Sequence, residues 1–215
     1  MYVLNRHKFA VADIRGLEKF VVCWERFYRD NVQLPNSDIP INYLDELNLH
    51  GDLSKQNIIR LLRWKDPRFL THPKQPKTGR IEPNSRVRQV LDRISVINRF
   101  RNGKITKKDF SKVTEDLFPS GSIIMPLFLF HVARPWEWPI ADQHVFRAYS
   151  KLFKKPVPTS IESFDMYIRQ FNELASQLRN STGVRVSDRK EVCASNKRLD
   201  SALMAYGQFL GEYDR

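Results

Sequence analysis

The run Ile123 to Ala133, I-I-M-P-L-F-L-F-H-V-A, constrains this chain more than any other stretch. Leu127, Phe128, Phe130 and Val132 point to different sides of a helix, so a helix here is apolar all round and has to be buried. Pro126 falls within its first turn, where proline is tolerated. The run opens from a turn, Pro119-Ser120-Gly121-Ser122, and gives way to a segment with two tryptophans and two prolines, Pro135-Trp136-Glu137-Trp138-Pro139. Asp142 then begins another apolar-periodic segment. Aspartate is a helix-capping residue, so Asp142 is predicted as the N-cap of a helix from about Gln143 to Phe153. The free N–H groups and dipole of such a helix favour a negative charge at its start. His131, on the apolar run, reads as a satisfied core histidine.

The rest of the chain reads helical as well. Leu17 to Val32 carries Phe20, Val21, Trp24, Phe27 and Tyr28 at helical spacings, with Trp24 and Phe27 expected in the core. Ile41 to Leu49 suits a short helix stopped near Gly51. Asp52 or Ser54 caps the next, which buries Ile58, Ile59, Leu61 and Leu62 and ends at Trp64. Asn84 to Arg101 repeats Val87, Val90, Leu91, Ile94, Ile97 and Phe100 as one helix, ended by Asn102-Gly103. Thr106, with Asp109 three residues on, forms a capping box for Lys107 to Leu117. Thr159 or Ser160 caps a helix with Phe164, Tyr167, Ile168, Phe171, Leu174 and Leu178 on one face. Ser187 or Asp188 starts the last, with Val192, Leu199, Leu203, Tyr206 and Leu210. No convincing strand pattern appears, and the fold class is expected to be all-α, in two helical lobes with a cleft between them.

One segment resists this reading. Asp66 to Pro83 holds four prolines, which forbid a continuous helix, together with Arg68, Lys74, Lys77 and Arg80. It is either a solvated loop or a basic strap that touches phosphates. The charge of the whole chain bears on that choice. Its 215 residues carry 36 Lys and Arg against 24 Asp and Glu, a net charge of +12. Such an excess favours a polyanionic partner, nucleic acid before an acidic membrane. Cys23 and Cys193 are the only cysteines, so four-cysteine metal or iron–sulfur spacing is absent. No apolar run approaches the length of a membrane span, and the N-terminus lacks a signal-peptide core. A cytoplasmic location is expected, or a nuclear one if the source is eukaryotic.

Two motifs resemble the helix-hairpin-helix DNA glycosylases, whose hairpin has the form L-P-G-V-G-x-K-T-A, followed by an apolar helix and D-T-H-V-x-R. Phe118-Pro119-Ser120-Gly121-Ser122-Ile123-Ile124 resembles the hairpin with its proline in register. Asp142-Gln143-His144-Val145-Phe146-Arg147 resembles the second motif with Asp, His, Val and Arg in register. The spacing closes too: Ile124 stands 18 positions before Asp142, where bifunctional members have their lysine. The resemblance covers about 30 of the 215 residues; two hairpin glycines are Ser120 and Ser122 here.

The resemblance implies a fold and an activity. N-terminal helices (1–51) and C-terminal helices (142–215) would share one lobe, and 52–141 would form the other, bearing basic loop 66–83 and hairpin 118–124. Asp142 would be the catalytic acid. Ser120, Gly121, Ser122 and Ile124 in the hairpin, with Gln143 and Arg147, would contact DNA. Trp136 and Trp138 would either stack on a flipped base or pack in the core, and Glu137 would be a second acid or a surface charge. His144 reads as a packing residue, and Arg147 as a packing and salt-bridge residue in its own right. The activity implied is hydrolysis of the N-glycosidic bond of a modified or damaged base in double-stranded DNA, in base-excision repair or phage defence. Ile124 has no amine, so the enzyme is expected to be monofunctional, leaving an abasic site. No cofactor or metal is called for, and a monomer is expected. The alternative is a non-catalytic helical DNA-binding protein on the same fold.

Overall fold

The computed structural model describes residues 14–28, 42–66, 85–119 and 123–213. Among these residues all regular structure is helical, as the periodicities predict. Ten helices follow one another: α1 Ile14–Glu25, α2 Tyr43–Glu46, α3 Lys55–Lys65, α4 Ser85–Asp92, α5 Ile94–Arg101, α6 Lys107–Leu117, α7 Ile124–Ala133, α8 Gln143–Phe153, α9 Ile161–Thr182 and α10 Arg189–Tyr213. None of the described helices is long and apolar enough to cross a membrane.

Local chemistry sets most of the boundaries. Ser54, Thr106 and Ser160 each accept a backbone N–H in the first turn of α3, α6 and α9, in capping boxes with Asn57, Asp109 and Ser163. Asp188 takes the Lys190 N–H at 2.7 Å and so caps α10. Gly103, at φ 72°, ends α5: its N–H bonds the Phe100 carbonyl and the Lys104 N–H bonds that of Arg99, closing the last turn.

The described residues fall into two compact units. One, the terminal unit, joins 14–28 to 136–213. Here α8 crosses α10 closely, α1 lies along α10 through Phe20, Trp24 and Tyr206, and α9 presents Phe164, Tyr167 and Phe171 to Phe146 and Tyr149 of α8. Arg198 grips Glu25 with two hydrogen bonds of 2.9 Å and so ties α10 to α1.

The central unit, 42–135, is built around α7. Residues Leu127 to Ala133 are all buried, as an all-apolar helix requires. Phe100 and Phe110 stack at 4.3 Å, and Phe130 meets both edge-on. Tyr43 hydrogen-bonds the buried His131 ring and packs on Trp64, which joins α2 to α3 and α7. The Arg101 side chain, 6% exposed, donates to five backbone carbonyls, those of Leu47, Asn48, Gly51, Val132 and Ala133. A buried cation is thus solvated by carbonyl dipoles in place of water.

Several expectations need correction. Phe27 is 61% exposed, because α1 ends at Glu25 and the turn that follows swings the ring outward. Ile59, Leu91, Ile94 and Ile168 are half-buried rather than core. The helix expected over 84–101 is two helices, since the Arg93 N–H bonds Val90 and tightens one turn. Finally, α2 sits with the central unit through Tyr43, whereas 136–141 sits with the terminal unit, where Trp138 stacks on Phe164. The junctions therefore fall before α2 and at Trp136, not at 51 and 142. Basic segment 66–83, beyond Asp66, and the turn Ser120-Gly121-Ser122 lie outside the described residues.

Candidate functional site

Asp142 is held from both sides. Before it, Trp138, Pro139, Ile140 and Ala141 are buried; the Trp138 ring lies parallel to Phe164, and Asn172 of α9 donates to the Glu137 carbonyl at 3.1 Å. After it comes α8, with Val145, Phe146, Ala148 and Tyr149 buried. Asp142 itself has extended backbone, φ −152° and ψ 150°, and its Oδ1 accepts the His144 N–H at 2.9 Å. This is the N-cap the sequence predicts. The side chain is half-buried.

The position of α8 depends on one glycine. A Cβ at Gly207 of α10 would stand 1.8 Å from the His144 carbonyl oxygen, so only glycine permits this approach. Arg147 completes the contact, donating to the Gly207 carbonyl at 2.9 Å and meeting His144 Nδ1 at 3.1 Å. Its guanidinium thus braces α8 against α10, which matches the packing reading of Arg147 and not the DNA contact the resemblance implies. His144 takes part in the same contact. Gln143 is exposed beside it.

Beneath the first turns of α8 lies Tyr167 of α9, 1% exposed. Burial, and after it the charges of Asp200, Tyr149 and Asp142, push its phenol well above the ordinary tyrosine range. The side chain is therefore a neutral phenol at every working pH, and Asp142 carries its charge over a mostly aromatic floor of Phe146, Tyr149, Phe164 and Tyr167.

The two tryptophans separate. Trp138 is core, 7% exposed, and has no open face for a base. Trp136 is half-buried; its Nε1 donates to Glu137 Oε1 at 3.2 Å, and the Arg189 guanidinium lies over its ring at 4.1 Å. Glu137 is exposed, and through that bond it orients an indole. Ile124 begins α7 in the central unit and is half-buried. Among the described residues no group of three or more His, Cys, Asp or Glu side chains could hold a metal ion. A groove of about 1210 Å³ along α1 and α10, lined by Val22, Trp24, Phe27 and Phe209 among others, includes none of these site residues.

Sequence reasoning missed three residues of this arrangement: Gly207, Tyr167 as the floor, and Arg189. Only Gly207 left a signal. Gly207 and Gly211, four apart inside a helical pattern, share one helix face, and an isolated helical glycine has a packing reason. Compared with known protein families, characterised proteins and solved structures, the chain matches none.

Proposed function

We propose that the protein is a monofunctional DNA glycosylase that hydrolyses the N-glycosidic bond of a flipped-out modified or damaged base. One observation carries the reading: a lone carboxylate, Asp142, is fixed at the N-terminus of a docked helix, in a chain of net charge +12. Its spacing from the proline turn at Pro119 supports the same reading.

The chemistry asks little more than that group. As the base departs with the bonding electron pair, positive charge builds on the sugar. A preorganised anion over an apolar floor stabilises that charge. Water then adds to the anomeric carbon and passes a proton to Asp142, leaving an abasic site and a free base. The basic side chains supply salt-sensitive affinity for the phosphates.

Asp142→Asn tests the proposal. Asparagine caps a helix about as well as aspartate, so the variant keeps its melting temperature. It binds DNA equally or more tightly, since an anion has gone, and releases no base. Undiminished base release by this variant removes Asp142 from the mechanism. The second reading, a non-catalytic DNA-binding protein, is favoured by one fact: the bond to His144 gives Asp142 a complete structural role as a cap. Abasic-site formation separates the two, because treated DNA breaks in alkali only where a base has been removed.

A further inference from the structure

We propose that Trp136 and Arg189 form a nucleotide-binding pair, in which the indole stacks an unstacked nucleobase and the guanidinium takes an adjoining phosphate. The inference rests on the nucleic-acid part of the proposed function, and adds to it a contact residue, Arg189, that no motif marks.

The geometry is that of a platform with a placeholder. Trp136 is anchored at three points: its Nε1 on Glu137, the Glu137 carbonyl on Asn172 of α9, and the buried Pro135 and Trp138 on either side. The ring is therefore fixed although it is half-exposed. Arg189, fully exposed at the first position of α10, lies 4.1 Å over that ring. Its long stem lets the guanidinium move without disturbing α10, whose start is held by Asp188.

Both exchanges favour a nucleotide. An exposed cation on an aromatic ring is held weakly, and a base stacked on the same ring is held more strongly, whatever its sequence. The displaced guanidinium then meets phosphate, which it binds in a fork of charge-assisted hydrogen bonds. Arg185 and Lys190 are exposed on the same turn. The neighbouring acids are engaged by N–H groups: Glu137 by the indole, Asp188 by the Lys190 amide and Glu191 by the Arg185 amide. Trp138 offers no such platform, since its ring is packed on Phe164.

The test compares two labelled duplexes, one fully paired and one with a single bulged base, binding the full chain. Wild type prefers the bulged duplex. Trp136→Ala weakens binding of the bulged duplex by roughly tenfold or more, the range of one base–aromatic stack, and leaves the paired duplex unchanged. Trp136→Phe retains most of the preference, which excludes a folding defect. Arg189→Ala lowers the slope of log affinity against log salt by about one on both duplexes, as loss of one phosphate contact does. Equal affinity of wild type for the two duplexes, or a preference that survives Trp136→Ala, overturns the proposal. Base release is read separately: a protein that passes these binding tests and frees no base refutes the glycosylase reading alone.

Discussion

Gly207→Ala is the sharpest test of how Asp142 is placed. In an ordinary helix this change is favourable, by about 1 kcal/mol, because alanine restricts the unfolded chain and suits the helix. Here the new Cβ would lie 1.8 Å from the His144 carbonyl oxygen and 2.5 Å from its carbon, whereas ordinary contact begins near 3.4 Å. Both obstacles are backbone, so neither can rotate away. Helix α8 has to withdraw by about 1.5 Å, which breaks the Arg147 bond to the Gly207 carbonyl and opens the packing of Phe146. Overpacking of this kind costs about 3 kcal/mol at the upper end of its range. Set against the helix gain, a net loss of about 2 kcal/mol remains, or about 4–8 °C in melting temperature for a chain of this size. The amide resonance of His144, bonded to Asp142 Oδ1, moves with the helix. If Asp142 is catalytic, a displacement of an ångström lowers base release by about a hundredfold. Gly211→Ala is the control: its Cβ meets only the tip of the Arg147 side chain, at 2.2 Å, which can shift, so the variant melts close to wild type. A Gly207→Ala protein that melts higher than wild type, with an unmoved His144 resonance, refutes the close crossing and with it the account of how Asp142 is held.

Three other outcomes are expected. Arg101→Met leaves five buried carbonyls without their shared donor and destabilises the protein by about 3–5 kcal/mol, as loss of one side of a buried charged network does; a chemical-denaturation midpoint within error of wild type would contradict it. The Thr106 hydroxyl and N–H hold the Asp109 carboxyl below its ordinary value, so its stabilising effect is complete above the ordinary carboxylate range and is lost as pH falls through the lowered value. Thr106→Val therefore flattens the acid side of the melting-temperature profile, and an unchanged profile would show that the box contributes nothing. Borohydride traps no covalent protein–DNA adduct, because Ile124 has no amine and Lys151 stands nine residues along α8 from Asp142, about 13 Å of helix rise. An adduct that is lost on mutating one lysine would show a Schiff-base route.

What the sequence made legible was local. Thr106, Ser160 and Asp142 declare their helices because a cap involves residues two or three apart, and the side chain that makes the bond is itself the signal. The buried α7 was equally plain, since eleven nearly continuous apolar residues leave no polar face. Phe27 misled because periodicity marks a face without marking where the helix stops, and no breaker stands after Glu25. Arg101 was invisible for the opposite reason. Its partners lie 31 to 54 residues away, and all are backbone carbonyls, which every residue carries. Trp136 and Trp138, two positions apart in one loop, had equal claims to a base pocket until tertiary packing gave one ring to Phe164 and the other to Arg189. The site was thus readable as a position, Asp142, and unreadable as a surface, because a surface is assembled by helices distant in sequence.

The cap and the proposed chemistry need not compete for Asp142. A carboxylate has two oxygens, and a cap requires one. The bond from the His144 N–H fixes the plane of the group, and the docking of α8 at Gly207 fixes where that plane stands. A catalytic anion needs this kind of restraint, since its benefit comes from being oriented before charge develops. The two roles differ in what they ask of a replacement. Capping asks for a short side chain with an acceptor oxygen, which Asn and Ser also have. Electrostatic stabilisation and proton removal ask for charge, which neither has. Along Asp, Asn, Ser and Ala at position 142, stability therefore follows capping strength and falls only at Ala, whereas base release falls at the first step. If base release instead followed the melting temperature through the series, Asp142 would be a cap and nothing more.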